Sequence, residues 1–139
     1  MSSINVPRLL LGGLAAGVVA NVLDFVVNEY LLVEDTQMMV QRFGLTDATG
    51  SGVAITWVIV DFILGFLIVW TYAAMRPRLG PGPKTAIAAG LTLYAAITVI
   101  LVGFTRMGLF STPLFLKAAA CALVTMSLAA LAGAALYRE

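Results

Sequence analysis

Four long apolar stretches separated by short polar ones organise this chain. They run over residues 9–33, 53–75, 85–104 and 114–137. Each meets the length of about 20 apolar residues that a helix needs to cross the hydrocarbon core of a bilayer. None shows the two-residue alternation of a barrel strand, and backbone groups in lipid must be satisfied within the segment. The pattern therefore predicts an all-α fold: a transmembrane four-helix bundle, with residues 1–139 forming one domain.

The breaks between the stretches carry turn chemistry. "RPRLGPGPK" (76–84) predicts a tight hairpin between the second and third spans. Pro83 suits a first helical turn, where its missing N–H costs nothing. "STP" (111–113) offers a hydroxyl cap and then Pro113 at the start of the fourth span. The loop after the first span is longer. Within it, "DTQMMVQRFG" (35–44) predicts a short interfacial helix, with Met38, Met39 and Phe43 on its apolar side and Gly44 ending it. The first stretch is too long for the apolar region of a signal peptide and lacks a small-x-small cleavage pattern, so a retained span is expected.

Composition narrows the function classes. The chain is 61% hydrophobic and 11% charged, against about 25% charged in soluble domains. A net charge of +1 offers no footprint for nucleic acid. There is no histidine, which excludes bis-His haem and His-based zinc or iron sites. Cys121 is the single cysteine, so no intramolecular disulfide can form. Phosphate-loop, dinucleotide, zinc-protease and nucleophile-elbow motifs are absent. No catalytic residue, metal site or cofactor is expected, and an enzyme is the least favoured class.

Lys and Arg set the expected orientation. Arg8, Arg76, Arg78, Lys84 and Arg138 fall on one side, and Arg42, Arg106 and Lys117 on the other. Basic residues collect in the cytoplasm, so both termini are expected there, with Glu34, Asp35 and Asp47 in an outside loop. Trp57 and Tyr30 would mark the outer interface, and Trp70, Tyr72 and Tyr137 the inner one.

The polar residues inside the spans are the candidate chemistry. Gly13, Gly17, Asn21, Asp24 and Asn28 follow one another at helical spacing on one stripe of the first span. Gly13 and Gly17 form a GxxxG of the kind that lets helices approach closely. The second span repeats the theme with Asp61 and Gly65. Counted from the outer ends of two consecutive antiparallel spans, both acids lie about 12–13 Å deep by the helical rise. Charged groups in spans usually face the bundle interior, pair, or mark a pathway. The expected intramembrane cluster is Asn21, Asp24, Asn28, Asp61, Lys117 and Arg106, with Thr98, Thr125 and Ser127 adding polarity. Pairing of Asp24 with Lys117, or of Asp61 with Arg106, would make it structural; the alternatives are a ligand, ion or proton site and pairing with another subunit. "LAAG" (14–17) and "IAAG" (87–90) echo each other, but the polar positions do not repeat.

"MMVQRFGLTD" (38–47), placed after one span and before three more, resembles a family of small uncharacterised bacterial four-span membrane proteins classed as a domain of unknown function. There a Met…Gly-Leu-Thr type segment similarly follows the first span. The resemblance implies a bacterial inner-membrane protein and supplies no activity. The leading expectation is an accessory, structural or self-associating subunit acting through helix contacts, in a homo-oligomer or larger membrane complex. The alternative is a small transporter, channel or small-molecule binder built on Asp24 and Asp61.

Overall fold

A computed structural model describes residues 4–46, 48 and 50–137. Asp47 and Arg138, which enter the charge count above, lie outside the described residues. The helices are α1 (Val6–Val26), α2 (Val33–Phe43), α3 (Ser51–Leu79), α4 (Pro83–Arg106) and α5 (Thr112–Leu136), with a π-helical turn at Val27–Leu31 between α1 and α2. Four of them, counting α1 with its π turn to Leu31, are long and apolar enough to cross a membrane. The protein is a four-helix membrane bundle.

The ends of these helices follow from their sequences. Asn5 caps α1, its side-chain oxygen accepting from the Arg8 N–H at 3.2 Å. Ser111 caps α5 in the same way, accepting from Leu114 N–H at 3.3 Å, with Pro113 in the first turn. α2 ends at Gly44, whose φ of +61° suits glycine. The Leu45 N–H then reaches the Val40 carbonyl at 3.0 Å, closing a Schellman turn. The expected short helix over 35–44 is thus present, begun two residues earlier.

The helices alternate in direction. α1 packs on α3 and α5, and α4 closes the ring against the same two. The start of α1 and the end of α5 therefore lie at one end, with α2 and the α4–α5 turn at the other. The contacts are close because the facing residues are small. A Cβ placed on Gly65 would lie 2.7 Å from the Gly13 carbonyl oxygen and 2.9 Å from Gly17 Cα. One on Gly12 would meet the Gly133 carbonyl oxygen at 2.7 Å, and one on Gly90 the Met126 carbonyl oxygen at 2.7 Å. Three helix pairs thus meet backbone to backbone, the contact that gives membrane helices their packing energy in place of a hydrophobic drive.

The buried core lies towards the end that holds the start of α1 and the end of α5. It is built from Ala16, Ala20, Ile68, Val69, Ala86, Ala89, Ala129 and Ala130, closed below by Tyr72 and Tyr137. These two tyrosines were expected in an interfacial belt; instead both are buried. Their rings meet edge to face with centroids 6.0 Å apart, and the Arg76 guanidinium lies over both, 5.9 and 5.5 Å from the centroids. Their hydroxyls accept from backbone: Tyr137 from the Asn5 N–H at 3.2 Å and Tyr72 from the Gly82 N–H at 3.3 Å. A buried phenol finds a partner for its hydroxyl, and these two tie the chain ends to the α3–α4 turn. Tyr30, Trp57 and Trp70 stay exposed. Along α1, Leu10, Leu14, Val18, Val22 and Phe25 form an exposed apolar stripe opposite the glycines, the exterior of a helix bundle surrounded by lipid.

Candidate functional site: a carboxyl pair between three helices

The polar stripe of α1 continues the same face that carries the glycines. Because Gly13 and Gly17 are held against α3, Asn21 and Asp24 must follow on the interior side. Asn21 donates its amide to the Gly17 carbonyl at 2.9 Å and to the Val58 carbonyl of α3 at 3.3 Å. One turn further along, the Asp24 carboxyl is within side-chain hydrogen-bonding reach of Asp61 on α3 and of the Thr125 hydroxyl on α5. Asp61 is 6% exposed and Thr125 4%. Three helices therefore converge on two carboxyl groups and one hydroxyl within the membrane-spanning region.

The donors can be counted. Thr125 brings one O–H, and an ionised carboxylate only accepts. A hydrogen bond between the two carboxyl groups thus requires a proton on one of them. Among the described residues neither acid takes part in a salt bridge. Two carboxyl groups placed this way can share one proton. Two crevices at the α2 end, one lined by Asp35 and Arg42 among others and one by Gly44, Leu45, Thr46 and Ala48, include neither acid. No group of three or more acids or cysteines able to hold a metal occurs among the described residues.

The structure separates the expected cluster. Asp24 and Asp61 come together, and Asn21 lies about one turn before Asp24, bound to the Gly17 and Val58 carbonyls. Asn28 does not join them: it is exposed and donates to the Asp24 backbone carbonyl at 2.8 Å. Lys117 does not pair with Asp24. It forms a salt bridge with Asp35 at 2.6 Å, because the π turn leads almost directly into α2 and folds Asp35 back over the start of α5. Arg106 does not pair with Asp61; it is exposed in the last turn of α4 and has no carboxylate partner among the described residues. Gly13, Gly17 and Gly65 meet in one crossing, where the Phe62 ring packs at Gly17 and the Phe66 ring at Gly13.

Two residues gained roles that the sequence reading had not given them. Asp35, expected only as an acid of the outside loop at the start of the short helix, is 7% exposed. Leu32, Asp35 and Met39 recur at steps of three and four, the spacing of the buried side of α2. Thr125, taken as general polarity, is the third member of the site. Thr125, Ala129 and Gly133 repeat at steps of four, the same passage from small to polar along one stripe that marks α1.

The salt bridge is asymmetric: Lys117 is 55% exposed and Asp35 7%. Lys117→Ala would strand a buried carboxylate, whereas Asp35→Ala would let the lysine return to water. Lys117→Ala should therefore speed amide hydrogen exchange across α2 more than Asp35→Ala does. The opposite ranking would show that α2 is held by its apolar contacts instead.

No protein-family model, no curated protein and no solved structure matches this chain.

Proposed function

We propose that this bundle is a small proton-coupled membrane transport protein, with the Asp24–Asp61 pair as its proton-carrying site and Thr125 as the hydroxyl that orients Asp24. The observation that supports this reading is that carboxyl groups from α1 and α3 lie within hydrogen-bonding reach of each other, with no salt bridge to either among the described residues. A structural ion pair would have satisfied the same helices at fixed charge. A shared proton leaves a group that changes charge state when the helices shift. An intramembrane acid is by default a candidate for a proton relay or an ion pathway. The glycine faces bear on the choice as well: Gly13, Gly17 and Gly65 are consumed inside the bundle, so this GxxxG is not offered to a neighbour.

A second reading, an accessory subunit of a homo-oligomer or larger complex, is favoured by α4. It is the least enclosed of the four spans, and nothing lies within 4 Å of a Cβ placed on Gly103. We infer a bacterial inner-membrane location with both termini in the cytoplasm, on the strength of the Lys and Arg distribution and of the resemblance carried by residues 38–47.

Reconstitution separates the readings. Vesicles containing the protein, loaded with the small-molecule fraction of the source cells and given a pH gradient, should dissipate that gradient faster than empty vesicles. Asp24→Asn and Asp61→Asn should each remove the difference. If vesicles with and without the protein behave alike, the transport reading fails and the subunit reading gains.

A further inference from the structure

At the α2 end a crevice of about 100 Å³ opens between α2 and the α4–α5 turn. Its walls are largely apolar, contributed by Met38, Met39, Phe43 and Leu109. Two charged groups border it, and they differ in state. Asp35 is already neutralised by Lys117 at 2.6 Å. Arg42 is exposed and has no carboxylate partner among the described residues; its guanidinium rests over the Phe43 ring, 5.3 Å from the centroid. Across from it the turn passes at Gly108, where a Cβ would lie 3.9 Å from Arg42 Nη2. The guanidinium thus lies at the mouth of the crevice, beside Gly108 of the turn.

Level in the membrane limits what can occupy this place. The crevice lies where α4 ends at Arg106 and α5 begins at Thr112. That is the end of the apolar spans, the depth at which phosphates and glycerol backbones of a bilayer lie. We propose that the crevice is a binding site for one anionic phospholipid, its phosphate against Arg42 and the start of its acyl region against Met38, Phe43 and Leu109. Charge complementarity fixes the class. Among the described residues Arg42 has no carboxylate partner, and the one acid lining the crevice, Asp35, is already paired with Lys117, so no free carboxylate of the lining receives the ammonium of a zwitterionic headgroup. A guanidinium recognises phosphate oxygens through paired N–H donors. The volume admits the headgroup junction only, so the chains stay in the bilayer. This site is independent of the carboxyl pair, and either could fail without the other.

Native mass spectrometry of the full chain, released from nanodiscs of mixed phosphatidylglycerol and phosphatidylcholine, tests the site. The wild-type protein should retain one phosphatidylglycerol in preference to phosphatidylcholine by roughly five-fold, the effect of one basic side chain at a membrane surface. Arg42→Gln should abolish the preference. Met38→Trp, at an exposed position on the wall, should do so by filling the crevice. Arg106→Gln removes an arginine from the same end and should leave the preference intact. Equal retention of the two lipids by the wild type would overturn the proposal. So would persistence in Arg42→Gln, or an equal loss in Arg106→Gln, which would reduce the effect to general surface charge. Displacement of the lipid by inorganic phosphate alone would assign the site to the free anion and not to a lipid.

Discussion

Gly65→Leu should prevent this bundle from assembling. The position faces backbone, not side chains: the Gly13 carbonyl oxygen lies 2.7 Å and Gly17 Cα 2.9 Å from where the first added carbon would go. A flexible side chain could turn aside, but two helices would have to separate. Overpacking a well-filled core costs about 1–3 kcal/mol and sometimes more, and a clash with backbone belongs at the upper end. The loss would spread further, because α1 also carries the Gly12–Gly133 contact with α5. Unfolding in mixed micelles, followed by circular dichroism and tryptophan fluorescence, should show no cooperative transition for Gly65→Leu. Gly103→Leu, on the open face of α4, should unfold like the wild-type bundle. Equal effects at the two positions would mean that the α1–α3 crossing does not hold the bundle together.

The second large effect separates stability from chemistry at Asp61. Asp61→Asn keeps a donor and an acceptor against Asp24, so its cost in stability should be small, on the order of the 0.6 kcal/mol typical of polar pairs in membrane bundles. Asp61→Leu leaves the partly buried Asp24 carboxyl with Thr125 alone, and losing a partner at a buried polar group costs up to about 1–3 kcal/mol. Both substitutions should stop proton exchange at the pair. The test is stability in micelles beside gradient dissipation in vesicles. Asp61→Asn should fold like the wild type and fail to dissipate the gradient. If it dissipates normally, the pair is a structural hydrogen bond and no more.

These effects rest on features of differing legibility. The four spans could be read from hydropathy because lipid imposes a single solution on a long apolar segment. Their ends shifted by a few residues where caps intervene: Asn5 begins α1 earlier than the apolar run does, and α3 continues through Pro77 to Leu79. The common level of Asp24 and Asp61 followed from counting along two consecutive antiparallel helices. Partner identity did not. Both Lys117 and Arg106 were candidates by sign of charge, but sign says nothing about which acid a loop will deliver. The π turn at Val27–Leu31 and the immediate start of α2 bring Asp35 to Lys117, and no local pattern announces that geometry. Thr125 was harder still. It lies well along α5 from its start at Thr112, and its level depends on how α5 is set against α1 by the Gly12–Gly133 contact. Tyr72 and Tyr137 read as interfacial aromatics by type and position. A neighbouring arginine and two backbone N–H groups turned them inward.

A shared proton has a spectroscopic signature. Infrared spectra of the purified protein at neutral pH, recorded in light and heavy water, should contain the carbonyl stretch of one protonated carboxylic acid, shifted on deuteration. The band should be absent from Asp24→Asn and from Asp61→Asn. A wild-type spectrum with only ionised carboxylate bands would contradict the central claim, because two carboxylates cannot hydrogen-bond to each other without that proton.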